Sequence, residues 1–324
     1  MRNRLRFVTI GLLTTGLMSV GPALAWADDG SIVLDLVRHG ESTANAANII
    51  DTQPPGADLD ATGNTQAATV AGNIETEFSK IAGVFASDEI RTQETATPLA
   101  QDLGVYPLPS DHILSGLNEI PAGAFEGQST TGLDGILYLL GPLSWAMGDV
   151  LVPDIGDPSV NGVTFDESFG GAVQTIYDDT ASATSTPNDI AFSSEGAIAV
   201  WTLMNVNNPD FSVLLQEVEN TGGFLPNTGQ VVVEGSPGDW TLVSYDGIDV
   251  PQDPGLPTEL FVDFRDLNEV SQTAEYDIYE ALLGGNTATI ESAIQTGLGQ
   301  IDTALTQFPT EVIDQIVNAL GGTI

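Results

Sequence analysis

Short apolar segments alternate with longer segments of helical periodicity along the first two-thirds of the chain. The apolar segments are brief and rich in β-branched side chains, as buried strands are. The segments between them place apolar residues three and four positions apart, which is typical of amphipathic helices. In chain order the predicted elements are strand 32–37, helix 60–74, strand 81–85, helix 89–103, strand 190–192 and helix 197–206. Repeated strand and helix units predict an α/β fold in which a mostly parallel sheet carries helices on both faces.

The C-terminal third shows different patterns. Residues 230–234 and 240–245 flank a turn that contains Gly and Pro, and they predict a β-hairpin, while residues 259–264 predict one further strand. Beyond these, apolar residues recur every three or four positions on both sides of Pro309, which predicts a helical C-terminal extension of two amphipathic helices. Their polar faces carry Asp and Glu without Lys or Arg, so packing on the rest of the protein is favoured over binding to a membrane surface.

A long insertion rich in Gly and Pro separates the second and third predicted strands. It covers residues 128–188 and carries several large apolar side chains, among them Tyr138 and Trp145. Two interpretations remain open for this segment. It would form a lid over the ends of the strands, or it would pack into the core in the ordinary way.

The N-terminus has the pattern of a secretory signal peptide. Three arginines within the first six residues precede an apolar run at 7–20, and small residues at 23–27 offer cleavage sites. The alternative, a retained membrane anchor, is less favoured because the run is short and contains Thr and Gly, and no later stretch is apolar enough to span a bilayer. We therefore expect residues 1–27 to be a signal peptide and the protein to be secreted or associated with the cell envelope, without stable membrane insertion.

The chain is strongly acidic, with 45 acidic and seven basic residues and a formal net charge of −38. Such a surface repels nucleic acid and anionic lipid, so neither is an expected partner. It repels phosphate esters at long range as well, which means that any phosphate chemistry requires a local cationic pocket. The absence of cysteine excludes disulfides and thiolate chemistry. For most of the surface, the acidity is best interpreted as a source of solubility or salt tolerance.

Four short motifs follow one another in a fixed order. They are Arg38-His39-Gly40 with Asn45, Leu59-Asp60-Ala61-Thr62-Gly63 with Gln66-Ala67, Ser87-Asp88-Glu89-Ile90-Arg91-Thr92, and Leu117-Asn118-Glu119 with Glu126-Gly127. In this order and spacing the sequence resembles the histidine phosphatase superfamily, also called the phosphoglycerate mutase-like family, over roughly residues 32–250. The resemblance implies a histidine phosphatase-like domain at 28–265 that contains the insertion, and it leaves residues 266–324 as the helical extension.

The resemblance also implies a role for each matched residue. His39 would be the nucleophile and form a phosphohistidine, which divides the reaction into two displacements. Arg38 and Arg91 would bind the phosphoryl oxygens in bidentate fashion, Asn45 would donate a further hydrogen bond, and Glu119 would be the proton donor. No metal and no cofactor is implied, and the substrate would be a small phosphate ester. Plainer alternatives stay open, since both arginines would equally serve to neutralise neighbouring carboxylates.

Glu195 departs from the family pattern. After the third strand the family places a second histidine before a glycine, whereas this chain has Glu195 before Gly196. Two like charges about 4 Å apart at an effective dielectric near 20 repel by ~4 kcal/mol, which corresponds to about a thousandfold in rate. Three outcomes are open: a slow enzyme, an enzyme that works at low pH through a protonated Glu195, or an inactive protein of the same fold.

The sequence thus predicts a secreted phosphomonoesterase that acts through His39, with activity weakened by Glu195. Two rivals belong to other functional classes. One is a catalytically inactive pseudophosphatase that binds a ligand, and the other is an envelope-associated interaction protein built on the acidic surface and the helical tail. The sequence makes no prediction of oligomeric state.

Overall fold

The computed structural model of the protein describes residues 30–181 and 187–319, so the predicted signal peptide lies outside the described residues. The strands are β1 (Ile32–Arg38), β2 (Gly83–Ala86), β3 (Asn188–Ser193), β4 (Gln230–Ser236), β5 (Asp239–Tyr245) and β6 (Ile248–Asp249). The α-helices are α1 (Thr43–Ala46), α2 (Ala61–Glu77), α3 (Ile90–Asp102), α4 (Leu133–Ala146), α5 (Gly162–Thr180), α6 (Glu195–Asn205), α7 (Phe211–Thr221), α8 (Leu256–Gly284) and α9 (Thr287–Ala319).

One six-stranded sheet forms the centre of the fold, in the order β2-β3-β1-β4-β5-β6. Strands β2, β3 and β1 pair in parallel, whereas β4, β5 and β6 add antiparallel pairs at the other side of β1. The predicted α/β fold and hairpin are confirmed, and the hairpin makes the sheet mixed. Because β1 and β3 are parallel, with Arg38 opposite Ser193, their carboxyl ends meet at one edge. Ligands of open α/β sheets bind at such an edge.

Side chains alternate between two apolar layers, one on each face of the sheet. In β2, Phe85 joins the layer that contains α5 and α6, while Val84 and Ala86 join the layer formed with α2 and α3. Strand β1 divides in the same way, with Leu36 on the first side and Val37 on the second. Period-two alternation of apolar residues on both faces is expected of a buried strand between two helical layers.

The insertion packs into the core along α4 and α5. Its aromatic side chains form a continuous series, with ring centroids 5.7 Å apart for Trp145 and Phe165, 5.9 Å for Phe165 and Phe169, and 5.5 Å for Phe169 and Trp201 of α6. All four side chains are buried. Aromatic pairs at these separations add packing energy beyond the area that they bury. Of the two interpretations of this segment, core packing holds for these residues.

Two predictions for the C-terminal third are wrong. Residues 259–264, predicted as a strand, lie inside α8, which begins after Gly255 with Pro257 in its first turn, where a missing N–H costs nothing. The predicted break at Pro309 is absent, since α9 runs through it. Phe308 packs on Phe264 of α8 with ring centroids 4.9 Å apart. This contact with α8 holds the residue beside Pro309 in the helix.

The α8–α9 hairpin is joined to the α/β layers through the first half of α8. Arg265 is buried, and its guanidinium donates to the carbonyl oxygens of Leu203 and Val206 at 2.6 and 3.2 Å. Phe261 packs edge-on against Phe211 of α7. The predicted domain boundary at residue 265 therefore falls within a helix, and the division into domains stays a prediction. Within residues 30–181 and 187–319 no helix has the length and apolarity to cross a membrane.

Candidate active site

His39 lies directly beyond the carboxyl end of β1, in a turn that leads into α1. The backbone N–H of His39 donates to Ser193 of β3 at 3.0 Å, which joins the ends of the two strands. Ser42 caps α1 by accepting from the backbone N–H of Asn45, and Asn45 Oδ1 accepts from the N–H of Ser42. A Cβ at Gly40 would lie 2.7 Å from the carbonyl oxygen of Gly63 in α2, so only glycine permits this close approach.

Hydrogen bonds fix the tautomer of His39. Arg91 Nε lies 2.9 Å from His39 Nε2, and because a guanidinium only donates, Nε2 is the acceptor. Nδ1 lies 2.7 Å from the carbonyl oxygen of Gly40 and therefore carries the proton. The imidazole is thus neutral, with the lone pair of Nε2 directed towards the arginine side of the site.

The electrostatic surroundings favour the same neutral form. His39 is 3% exposed, and burial lowers its pKa well below 6.5, with Arg91 and Arg38 lowering it further. A hydrogen bond to the Gly40 carbonyl opposes these effects but does not outweigh them. A neutral imidazole with a lone pair on Nε2 is the form that a nucleophile or a metal ligand requires. In this structure that lone pair accepts from Arg91 Nε.

Arg91 is surrounded by acceptors. Its guanidinium lies 2.7 Å from Glu89 Oε1 and 3.1 Å from Asp51 Oδ2, and Ser194 Oγ lies 3.4 Å away. Ser194 in turn donates to Glu89 Oε2 at 2.8 Å. Burial raises the pKa of Glu89 to about 7, against the opposing effect of Arg91. These contacts with Glu89, Asp51 and Ser194 hold the Arg91 guanidinium in place.

Arg38 is paired with Glu195. Its Nη1 lies 2.7 Å from Glu195 Oε2 and donates also to the carbonyl oxygen of Leu225. Glu195 Oε1 accepts from the backbone N–H of Phe224 at 2.6 Å, so the carboxylate is fixed at both oxygens. Glu195, predicted to stand in place of the family's second histidine, therefore neutralises one of the two arginines predicted to bind phosphate.

Glu119 lies against the N-terminus of α6. Its carboxylate accepts from the backbone N–H groups of Gly196 at 3.0 Å and Ala197 at 2.8 Å, and from that of Ile120 at 2.9 Å. Burial raises the pKa of Glu119 above its ordinary value, although these N–H groups act to lower it. A carboxyl group with a raised pKa that lines the same cavity as His39 is suited to proton transfer.

One cavity of about 850 Å³ contains all six predicted site residues. Arg38, His39, Asn45, Arg91, Glu119 and Glu195 all line it. Asn227, from the loop before β4, donates to the carbonyl oxygen of His39 and to Asn45 Oδ1 at 3.1 and 3.3 Å. The structure brings the predicted residues together, and their catalytic roles stay predictions.

Sequence reasoning missed several residues of the cavity. Asp51 and Phe224 line it, and Ser194 contacts the lining residue Arg91. Tyr138, which belongs to the insertion left open as a lid or as core, lines it as well. No local pattern marks Asp51, whereas Ser194 stands immediately before Glu195, at the strand end where the family pattern already directed attention. In the part of the chain that the structure describes, no three His, Asp or Glu side chains gather in an arrangement that would hold a metal ion.

Comparison with known proteins gives matches at the levels of family, sequence and fold. The family model "Histidine phosphatase superfamily (branch 1)" matches residues 34–135. The PE-PGRS family protein PE_PGRS11 of Mycobacterium tuberculosis is 44% identical over 299 residues, which are 90% of this chain and 49% of that protein. Uncharacterized protein Rv0525 of the same organism is 37% identical over 128 residues, 39% of this chain and 58% of that protein. The chain thus spans about half the length of these curated relatives.

Two solved structures are similar to this chain in fold. "Mycobacterial hydrolase 1" is 18% identical, with a TM-score of 0.49 over 67% of this chain and 99% of that chain. The phosphoglycerate mutase of Bacillus anthracis str. Sterne is 15% identical, with a TM-score of 0.49 over 68% of this chain and 94% of that chain. The family match over residues 34–135, which include Arg38, His39, Arg91 and Glu119 at one cavity, confirms the resemblance to the histidine phosphatase superfamily that the sequence predicted.

Proposed function

We propose that the protein is a phosphomonoesterase whose nucleophile is His39. One observation carries the proposal: a neutral, buried imidazole presents the lone pair of Nε2 2.9 Å from the Arg91 guanidinium, in a cavity that Arg38 also lines. Phosphoryl transfer requires a nucleophile beside positive charge that stabilises the equatorial oxygens. The family match over these residues supports the same function.

The proposed reaction has two displacements. In the first, the Nε2 lone pair of His39 forms a bond to phosphorus while the ester P–O bond breaks, and the leaving oxygen takes a proton from Glu119. In the second, water attacks phosphorus and gives a proton to the Glu119 carboxylate, while the N–P bond breaks and its electron pair returns to Nε2. Phosphate leaves, and His39 and Glu119 recover their starting forms.

The arginines require a rearrangement before phosphate binds. Arg38 is paired with Glu195, and Arg91 with Glu89 and Asp51. Arg91 Nε also donates to His39 Nε2, and this hydrogen bond must break before the Nε2 lone pair attacks phosphorus. An incoming phosphoryl group would have to replace Glu195 as the partner of Arg38, which slows turnover relative to a site with a neutral residue at that position. This pairing is also the observation that favours the second candidate, a pseudophosphatase in which the carboxylates permanently occupy the guanidinium groups.

Phosphate release from an aryl phosphate, measured from acidic to neutral pH, tests the proposal. The expected result is hydrolysis by the wild-type chain and none by His39→Ala. His112→Gln is a matched control, because His112 stacks on Phe85 with ring centroids 4.3 Å apart and does not line the cavity. Equal inactivity of wild type and His39→Ala over a panel of phosphate esters would favour the pseudophosphatase.

The proposal includes export of the protein, which rests on the signal-like pattern of residues 1–27. Expression in an exporting host, followed by mass determination of the protein from the culture medium and the envelope fraction, tests it. The expected result is a chain shortened at or near residue 27. A full-length chain confined to the cytoplasm would contradict export.

A further inference from the structure

The charges that line the cavity are mostly negative. The charged lining residues are Arg38, Arg91, Glu41, Asp51, Glu119 and Glu195. A bound phosphoryl group takes both guanidinium groups, and it leaves the carboxylates to face the rest of the substrate. An alcohol that carried a carboxylate or a second phosphate would meet like charge, which costs binding energy in a partly desolvated site.

The remaining described basic residues cannot offset this charge. Lys80 is exposed, and its carbonyl oxygen accepts from Asn188 at 2.7 Å, which places it at the amino end of β3, opposite to the site. Arg265 is buried and donates to the carbonyl oxygens at the end of α6. Among residues 30–181 and 187–319, arginines 38 and 91 are therefore the two basic side chains available to a substrate.

Glu195 is adjacent in sequence to a residue that holds the proposed proton donor in place. It is followed by Gly196, whose N–H binds Glu119, the proposed donor to the leaving oxygen. Once phosphate replaces it at Arg38, Glu195 still accepts from the Phe224 N–H and is left as an uncompensated carboxylate at the cavity wall. Two ring-bearing residues, Phe224 and Tyr138, line the same cavity. A carboxylate in a cavity that aromatic side chains also line is the chemistry that binds an organic ammonium group.

We propose that the alcohol part of the substrate carries a positive charge, so that the site takes phosphate monoesters of amino alcohols. The phosphoryl group binds Arg38 and Arg91, and the ammonium group binds Glu195 beside Phe224 and Tyr138. Glu195, which weakens binding of phosphate alone, thereby becomes a specificity-determining residue for a zwitterionic ester. For turnover, this inference rests on the proposed function.

The decisive comparison uses two esters of nearly equal shape. Phosphocholine carries a trimethylammonium group, and neohexyl phosphate carries an uncharged tert-butyl group in its place. For the wild-type chain we expect kcat/KM to be about tenfold or more higher for phosphocholine, as for a charge-assisted contact. In Glu195→Gln the ratio of kcat/KM for phosphocholine to kcat/KM for neohexyl phosphate should fall to near one. Hydrolysis of an aryl phosphate whose aryl group is uncharged should rise, because Arg38 no longer pairs with a carboxylate. Glu75→Gln, a change at an exposed residue of α2, is the matched control.

A binding measurement without turnover tests this inference separately from the proposed function. Calorimetry with His39→Ala measures Kd for both esters without turnover, and the same preference for phosphocholine is expected, again lost when Glu195→Gln is added. Equal Kd values for the two esters, or a preference that survives Glu195→Gln, overturn the inference even if aryl phosphate is hydrolysed. Absence of His39-dependent hydrolysis overturns the proposed function, whereas a retained binding preference would still support a site for zwitterionic esters.

Discussion

Under the proposed function, the ion pair of Glu195 with Arg38 limits the activity of the site. The two groups lie 2.7 Å apart, so phosphate competes with a carboxylate that is already in place. Glu195→His removes the negative charge and supplies a donor, and we expect kcat/KM for an aryl phosphate to rise about tenfold near neutral pH. Glu75→His, on the exposed face of α2, is the control. An unchanged or lower rate in Glu195→His would contradict the role assigned to this residue.

Glu119 should matter most when the leaving group is a poor one. Replacing it by Gln keeps an acceptor for the N–H groups of α6 but removes the transferable proton. For an alkyl phosphate we expect kcat to fall by about 10²–10³, and for an aryl phosphate, whose leaving group needs little help, by much less. Steady-state kinetics on a series of esters with graded leaving-group pKa measures the difference. Equal losses across the series would show that Glu119 acts on something other than the leaving oxygen.

The sequence located the main residues of the site and left open that its arginines pair with carboxylates, but it did not establish which pairs form. Arg38, His39 and Arg91 were identified because they stand in motifs next to strand ends and helix starts. The contact of Arg91 with Asp51 joins positions 40 residues apart, and the contact of Arg38 with Glu195 depends on the pairing of β1 with β3. Such contacts are set by tertiary packing, so a single sequence carries no local signal for them.

At the scale of elements, the packing of α9 on α8 depends on Gly297. A Cβ at this position would lie 3.1 Å from Ala274 Cβ, tighter than ordinary contact. Gly297→Leu should therefore separate the helices and lower the free energy of unfolding by about 1–3 kcal/mol. Gly299→Leu is a matched control, since no atom lies within 4 Å of its added Cβ and leucine favours the helix. Urea denaturation followed by circular dichroism measures both, and equal stabilities would contradict the close packing assigned to Gly297.

The two wrong element predictions have different physical causes. Short apolar runs fit a strand and a helix alike, so residues 259–264 gave no means to recognise α8, whose start depends on Gly255 and Pro257. Pro309 was predicted to end a helix, as proline does in an isolated helix. In the structure α9 packs on α8, and this packing keeps the segment around Pro309 helical. The β-hairpin and the elements around the site were predicted correctly because turn residues and periodicity agreed there.

At the scale of the whole molecule, buried carboxyl groups make stability depend on pH. Asp35 in β1 is fully buried, and burial raises its pKa from 3.8 to about 8. The folded state thus holds a proton that the unfolded chain has already lost, and the stabilisation, complete below about pH 4, disappears as pH rises through about 8. We expect the free energy of unfolding to fall by about 1 kcal/mol from pH 7 to pH 9 on account of this group.

Asp35→Asn tests that dependence, because asparagine does not titrate and its side-chain oxygen can still accept from Gln230, as Asp35 Oδ2 does at 2.7 Å. Urea denaturation at both pH values should show a smaller loss of stability in the variant than in the wild type. Asp111→Asn, at an exposed position, is the control and should keep the wild-type slope. A slope unchanged by Asp35→Asn would contradict the assignment of the proton to Asp35.

The central claim is that His39 carries the phosphoryl group, and trapping the intermediate tests it most directly. The full chain is mixed with an aryl phosphate, quenched in alkali within the first turnover, digested and mapped by mass spectrometry, since a phosphohistidine survives alkali and is lost in acid. We predict phosphate on the peptide that contains His39, absent from His39→Ala and present in His112→Gln. Hydrolysis without any phosphorylated His39, or phosphate on another residue, would contradict the account.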